Sequence, residues 1–265
     1  MEMELNRRQF LNLATGSVAT FLLGGIVPTV GNSDPPIKAI AFDGFTTFDP
    51  RSVSALAEEL FPGRGSELSN LWRTRQFEYT WLRTVCGHYA DFWKVTEDAL
   101  VFATNMLKLE LSLEKRQHLM QAYLELKSYP DALPALKSLR AAGIRLAFLS
   151  NLTPYMLDSA IKSSGLEGIF EPSLSTDRVR VYKSDPRAYQ MGIDAFNLRR
   201  EEILFAAFGG WDAAGAKLFG YPTFWVNRLN LPIEELGVAP DATGQNLTDL
   251  VDFVKARQQL QDLHE

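Results

Sequence analysis

The stretch IAFDGFTTFDP, Ile40 to Pro50, decides how the chain folds. The apolar run Ile37-Lys38-Ala39-Ile40-Ala41-Phe42 that leads into it predicts a buried strand. That strand delivers one carboxylate, Asp43, into a loop of Gly, Thr and Phe. In open α/β sheets, sites are built outside the carboxyl ends of the strands, where this acid would stand. The residue two places on, Phe45, is aromatic, and any account of the acid has to explain it.

Working outward, strands and helices alternate. A long helical stretch follows from about Arg51 to Lys127, including LSNLWRTRQFEYTWLRTVCGHY. There Leu71, Trp72, Arg75, Tyr79 and Leu82 recur at the three- and four-residue steps of one helix face. A helix opening at Asp131 and ending at Gly143 precedes an apolar strand, Ile144 to Leu149. Helices are expected over Tyr155 to Ser163 and Pro186 to Phe196, and strands over Ile203 to Ala207 and Thr223 to Val226. Alternation of this kind implies parallel strands joined by right-handed crossovers, with helices on both faces. The fold class is therefore α/β: a parallel-sheet core over 37–50 and 128–255, with an inserted helical cap over 51–127.

Composition bounds the function. The 265 residues are 46% hydrophobic and 22% charged, which is globular composition. A net charge of −5 gives no basic footprint for nucleic acid. The lone Cys86 excludes an internal disulfide framework, and His88, His118 and His264 lack metal-ligand spacing, so they read as surface or packing residues. Residues 1–33 differ from the rest. Arg7-Arg8 precedes an apolar run from about Leu13 to Val27, short of the roughly 20 residues that span a bilayer. This is the layout of an export signal, and Arg7-Arg8-Gln9-Phe10-Leu11 resembles the twin-arginine type, which implies the twin-arginine export machinery as a partner and a periplasmic location. Thr29-Val30-Gly31 offers a cleavage site; left uncut, the segment would tether the chain to the membrane.

Four polar points follow apolar strands or lie in adjacent loops: Asp43, Ser150-Asn151, Lys183 and Asp212. A parallel sheet brings such points to one edge although they are far apart in sequence. Singly, Asp43 also suits a turn cap, Ser150 a helix start, and Lys183 and Asp212 a solvated surface.

Their order and wording resemble the haloacid dehalogenase superfamily, specifically its type II 2-haloacid dehalogenases. The resemblance covers about Ile37 to Val254 and rests on AFDGFTTFDP, FPGRGSELSNLWRTRQFEYTWLR, LAFLSNLTPYML, VYKSDPRAY and ILFAAFGGWDAAGAKLFGYPTFWVNR. It implies a Rossmann-like core with a helical cap and hydrolysis of short 2-halo carboxylic acids, of (S) configuration, to 2-hydroxy acids. Homodimers are common in that family. Phosphatases of the superfamily carry a second Asp two residues after the nucleophile, which protonates the leaving alcohol, and recruit a metal with acidic pairs. Here Phe45 replaces that Asp, and Gly209-Gly210-Trp211-Asp212 holds a single acid. A halide leaves without a proton or a metal, so neither a metal nor another cofactor is expected.

The resemblance also assigns roles. Asp43 attacks the halogen-bearing carbon and forms an ester that water then hydrolyses. Lys183 would hold Asp43 ionised. Arg73 resembles the residue that receives the halide, with Asn151 beside it, and Ser150 the one that grips the substrate carboxylate. Thr47 matches a threonine near the nucleophile, Tyr189 a tyrosine of the site, and Asp212 the acid tied to Lys183 and the hydrolytic water. Phe92 and Trp211 match apolar walls, and Phe45 keeps water from the carbon-halogen bond.

The fourth motif departs from the family pattern, Ser-Ser-Asn-Ala-Trp-Asp. Ala207 lacks a hydroxyl for Lys183, and Gly209 lacks an amide to orient water. Each loss is expected to cost roughly a hundredfold in rate, which predicts slow turnover or a shifted substrate. Two alternatives stand beside dehalogenation: a hydrolase of another substrate such as a phosphate ester, and a catalytically impaired protein that binds carboxylates.

Overall fold

The computed structural model describes residues 35–262. The proposed export signal, residues 1–33, lies outside them, as does His264. Six parallel strands form the central sheet: β1 (Ala39–Phe42), β4 (Arg145–Ser150), β5 (Leu174–Ser175), β6 (Ile203–Ala207), β7 (Thr223–Val226) and β8 (Ala242–Gly244), in the order β5-β4-β1-β6-β7-β8. The connectivity runs one way through β4 and β5 and the other way through β6, β7 and β8, so it reverses at β1. That reversal opens the crevice used by doubly wound folds.

β1 alternates between two apolar layers, the two-residue period of a strand covered on both faces. Ile40 and Phe42 join the cluster that holds Leu146, Phe148, Leu204 and Phe224. Ala39 and Ala41 join the opposite cluster with Leu149, Phe205 and Trp225. The expected strands over Ile144–Leu149, Ile203–Ala207 and Thr223–Val226 are found to within a residue. The two edge strands β5 and β8 were not expected, since Leu-Ser and Ala-Thr-Gly are too short and too polar to show a strand pattern.

Between β1 and β4 the chain forms a one-turn helix α1 (Gly44–Thr47), then the helices α2 (Arg51–Leu60), α3 (Gly65–Val85), α4 (Phe92–Met106) and α5 (Leu113–Ala122), followed by α6 (Ala132–Ala141). A short antiparallel ribbon, β2 (Phe48–Asp49) with β3 (Lys127–Ser128), brings the two ends of the helical block together. The buried face of α3 differs from the expected one: it carries Leu68, Trp72, Gln76 and Thr80, while Leu82 is exposed. Polar residues occupy that face because α4 meets them. The Trp72 Nε1–H donates to the Thr96 carbonyl at 2.8 Å, and Gln76 Nε2 donates to Thr96 Oγ1 at 2.6 Å. The remaining helices are α7 (Pro154–Ser163), α8 (Pro186–Phe196), α9 (Gly210–Phe219) and α10 (Leu247–Asp262). None of the helices among the described residues is long and apolar enough to cross a membrane. His88 and His118 are exposed, as expected of surface residues.

Arg228, in the loop after β7, ties the loop of the opening motif to the rest of the core. Its guanidinium donates to the Thr46 carbonyl at 2.8 and 3.1 Å, pairs with both Asp131 oxygens, and lies 3.7 Å over the Tyr129 ring. With its side chain 8% exposed, its removal strands a carbonyl and a carboxylate. Arg228→Ala is expected to cost roughly 2–4 kcal/mol, and Arg228→Lys to recover only part because an ammonium cannot reproduce the planar fork. Urea unfolding midpoints read the difference; a loss below about 0.5 kcal/mol, within the range of a neutral surface change, would contradict the anchoring role.

Candidate active site

Asp43 stands where β1 ends and α1 begins. Its Oδ1 accepts the Phe45 N–H at 2.8 Å, so the acid does cap a turn, but its other oxygen has a separate partner. Gly44 keeps the turn clear beside it: a Cβ there would lie 3.0 Å from Leu152 Cδ1 and 3.1 Å from Ser150 Oγ, a tight contact those side chains would have to relieve. Asp43 Oδ2 accepts from Lys183 Nζ at 2.6 Å. The same ammonium donates to Asp212 Oδ2 at 2.5 Å and to the Leu149 carbonyl at 3.3 Å. All three of its protons are therefore used, and the position of the missing Ala207 hydroxyl leaves none unsatisfied. Lys183 and Asp212 are both fully buried.

Tyr189, from α8, donates its hydroxyl to Asp212 Oδ1 at 2.7 Å, so both oxygens of Asp212 are engaged. Two carboxylates share one ammonium, leaving the buried group one negative charge in excess. Burial and the neighbouring Asp43 push the Asp212 carboxyl up to about 6, against the Lys183 charge and the Tyr189 bond, which hold it down. For Lys183, burial works to lower the ammonium, but Asp212 and Asp43 outweigh it and the net direction is upward. Burial and Asp212 likewise raise the Tyr189 phenol.

Asp43 opens onto a small cavity of about 10 Å³, space for about one water. Seven of the eleven expected site residues line it: Asp43, Phe45, Arg73, Phe92, Ser150, Asn151 and Trp211. The other four stand behind it. Lys183, Asp212 and Tyr189 form the chain of bonds that ends on Asp43. Thr47 is fully buried and turns its hydroxyl to that of Thr46 at 3.4 Å, and its neighbour Thr46 bonds the Asp43 carbonyl at 2.6 Å. Arg73 has no hydrogen bond or ion pair among the described residues; its guanidinium lies 5.4 Å from the centre of the Phe208 ring. Asn151 fixes its Oδ1 on the Lys183 backbone N–H at 3.1 Å, while its buried Nδ2 has no partner. Beside the Asp43 carboxylate and the Ser150 hydroxyl, the mostly aromatic lining offers the Arg73 guanidinium and the Asn151 amide, two donors that suit an anion.

Gly209 lines the cavity, as its place in the fourth motif implies. Phe77, Leu152 and Phe208 also line it and were not expected there; as apolar residues they carry no signal of their own. Phe77 packs against Trp211 with ring centres 5.2 Å apart and planes tilted by 56°, and Trp81 completes that aromatic group. The Gly209 departure has a steric counterpart: a Cβ there would meet Trp211 Nε1 at 2.7 Å, so the indole fills the space of the absent side chain. Among the described residues, no group of three or more His, Cys, Asp or Glu is placed to hold a metal.

Comparison with known proteins gives a consistent result. The family model described as haloacid dehalogenase-like hydrolase matches residues 37–220. The (S)-2-haloacid dehalogenase of Pseudomonas sp. (strain YL) is 43% identical over 218 residues, covering 82% of this chain and 94% of that protein. Haloacetate dehalogenase H-2 of Moraxella sp. (strain B) is 43% identical over 219 residues, 82% of this chain and 98% of that protein. Among solved structures, that of the L-2-haloacid dehalogenase RSc1362 superposes with a TM-score of 0.82 at 46% identity, covering 83% of this chain and 100% of that one. The enzyme of Xanthobacter autotrophicus with chloropropionic acid covalently bound gives 0.77 at 35% identity, covering 83% and 98%.

The raised Asp212 carboxyl has a measurable consequence. Between its ordinary value of 3.8 and about 6, the folded chain holds a proton that the unfolded chain releases. This group therefore makes the fold less stable as pH rises through that window. In Tyr189→Phe the bond that favours the ionised form is gone, and the titration is expected to move above its wild-type midpoint. Carbon-13 NMR of the carboxyl group reads the shift; an unmoved midpoint would contradict the coupling.

Proposed function

The chain belongs to the haloacid dehalogenase-like hydrolases, and on that premise we propose that it hydrolyses short (S)-2-halo carboxylic acids to 2-hydroxy acids through an ester on Asp43. The observation that carries this reading is the pairing of Asp43 with a buried ammonium on one side and an apolar cavity with Phe45 on the other. An acid at position 45 would serve a leaving alkoxide; a phenylalanine serves a leaving group that needs no proton. The relative with chloropropionic acid covalently bound supports an ester intermediate.

In the first step a lone pair of the Asp43 carboxylate attacks the carbon bearing the halogen from the side opposite the leaving group. The new C–O bond forms as the C–X bond breaks, and the configuration inverts. The halide departs with the bonding pair toward Arg73 and the free Asn151 Nδ2–H, while Ser150 receives the substrate carboxylate. Lys183 and the Phe45 N–H fix the orientation of Asp43 throughout, so little reorganisation accompanies attack. In the second step water adds to the ester carbonyl of Asp43 and the acyl C–O bond breaks; one proton of the water goes to the departing oxygen to make the product hydroxyl, and the other is released as Asp43 returns to its carboxylate. The Phe45 N–H bonds Oδ1 and the Lys183 ammonium bonds Oδ2, so whichever oxygen remains the ester carbonyl keeps one donor to stabilise its charge. Asp212 and Tyr189 act through Lys183 as positioning residues, because their polar atoms bond one another and the ammonium.

The second step is the weaker one. Lys183 has its third partner in the Leu149 carbonyl, but Trp211 covers the space at Gly209, and no amide stands there to orient water. Chloride release from (S)-2-chloropropionate is expected without added magnesium, with a rapid initial phase as esterified Asp43 accumulates. Asp43→Asn is expected to lower the rate by at least about a thousandfold. Release at full rate by that variant, or fast steady turnover with no initial phase, would contradict the proposal.

A further inference from the structure

The inserted helical block supplies Arg73 and Phe92 to the cavity, while the strand ends supply Asp43 and Ser150, with Lys183 behind them. The site is complete only while block and core keep one register. The ribbon of β2 and β3 joins them at the ends of the block. Away from that ribbon, bonds between the two converge on Tyr182, a fully buried residue that takes no part in the steps above.

The Tyr182 hydroxyl donates to the Ala90 carbonyl at 2.5 Å, two residues before Phe92. Its ring stacks on Tyr89, with centres 5.3 Å apart and planes at 29°, and tilts against Phe92 at 6.2 Å. Tyr89 donates its own hydroxyl to Asp177 Oδ1 at 2.7 Å, just beyond β5. The pair is thus crossed: a tyrosine of the core bonds the block, and a tyrosine of the block bonds the core. The backbone is shared in the same way. The Tyr182 N–H goes to Thr84 Oγ1 in α3 at 3.1 Å, and the next N–H, that of Lys183, goes to Asn151 Oδ1 at 3.1 Å. Thr84 ends the helix that carries Arg73, so a displacement there is passed along a rigid rod to the guanidinium.

A phenylalanine would fill nearly the same volume as Tyr182 without the desolvation of a hydroxyl, so the hydroxyl adds direction and not apolar burial. We propose that Tyr182 is a positioning residue, which fixes the block on the strand ends and so sets how closely Phe92 and Arg73 face Asp43. The inference rests on the proposed reaction for its kinetic readout alone; its binding readout needs no chemistry.

Tyr182→Phe removes the bond to Ala90 and keeps the ring. Propionate, which carries no halogen and cannot react, is titrated against tryptophan fluorescence, since Trp211 lines the cavity. The variant is expected to bind propionate about fivefold more weakly than wild type, the scale of one hydrogen bond lost from the closed arrangement. With (S)-2-chloropropionate, the rapid phase of chloride release is expected to slow at least about threefold, while the later steady rate, set by ester hydrolysis on core residues, stays within about twofold. Tyr89→Phe, at a partly buried position, breaks the Asp177 bond and is read the same way if Tyr182→Phe does not fold. A lowered urea midpoint with propionate affinity and rapid phase unchanged is the mark of plain packing and would overturn the proposal, as would a wild type that binds no propionate. Weaker propionate binding by the variant, with no halide released even by wild type, leaves the positioning role standing and removes the proposed reaction.

Discussion

The buried ammonium of Lys183 is the constraint on which the rest of the site depends. Desolvating it is unfavourable unless its three protons are matched, and two carboxylates and one carbonyl match them. Those partners come from three separate places: the end of β1, the end of β4 and the start of α9. Removing any of them would strand charge in a fully buried position. The ion group therefore couples the register of the sheet to the position of Asp43, and it turns a turn-capping acid into a fixed one facing a cavity.

The same arrangement explains how the cavity treats anions. With two carboxylates to one ammonium, the back of the site is negative, and a carboxylate substrate would be repelled without a counter-charge in front. Arg73 supplies it, from a helix of the inserted block and with no carboxylate partner among the described residues. The free Asn151 N–H adds a neutral donor. Attraction at the front and a negative back face position an anion at the mouth of the nucleophile without drawing it onto Lys183.

Much of this was legible in the sequence, for a physical reason. Buried strands are apolar runs, so the acid, hydroxyl and amide that end them stand out against their surroundings. Asp43, Ser150, Asn151 and Asp212 were found that way, and Lys183 through its place in the order of motifs. Arg73 was found only through the resemblance, and among the described residues its side chain has no hydrogen bond or ion pair. What escaped was carried by residues with no polar signal. Phe208 and Phe77 look like core residues until the tertiary packing places them at the cavity. Arg228 reads as an ordinary loop arginine, although it fixes the backbone of Thr46. The buried face of α3 is hard to read because Gln76 and Thr80 are polar by type; Gln76 bonds Thr96, and the Thr80 hydroxyl bonds the Phe77 carbonyl of its own helix. The edge strands β5 and β8 take their pairing from adjacent strands and carry no pattern of their own.

The central claim is that the carboxylate of Asp43, and not a water molecule, makes the first bond to carbon. A single turnover in water enriched in heavy oxygen, with protein in excess over (S)-2-chloropropionate, tests it most directly. Mass analysis is then made of the peptide that holds Asp43 and of the 2-hydroxy acid released. The account predicts heavy oxygen in the Asp43 carboxylate and ordinary oxygen in the product hydroxyl. Heavy oxygen in the product of that first turnover, with Asp43 unlabelled, would contradict it.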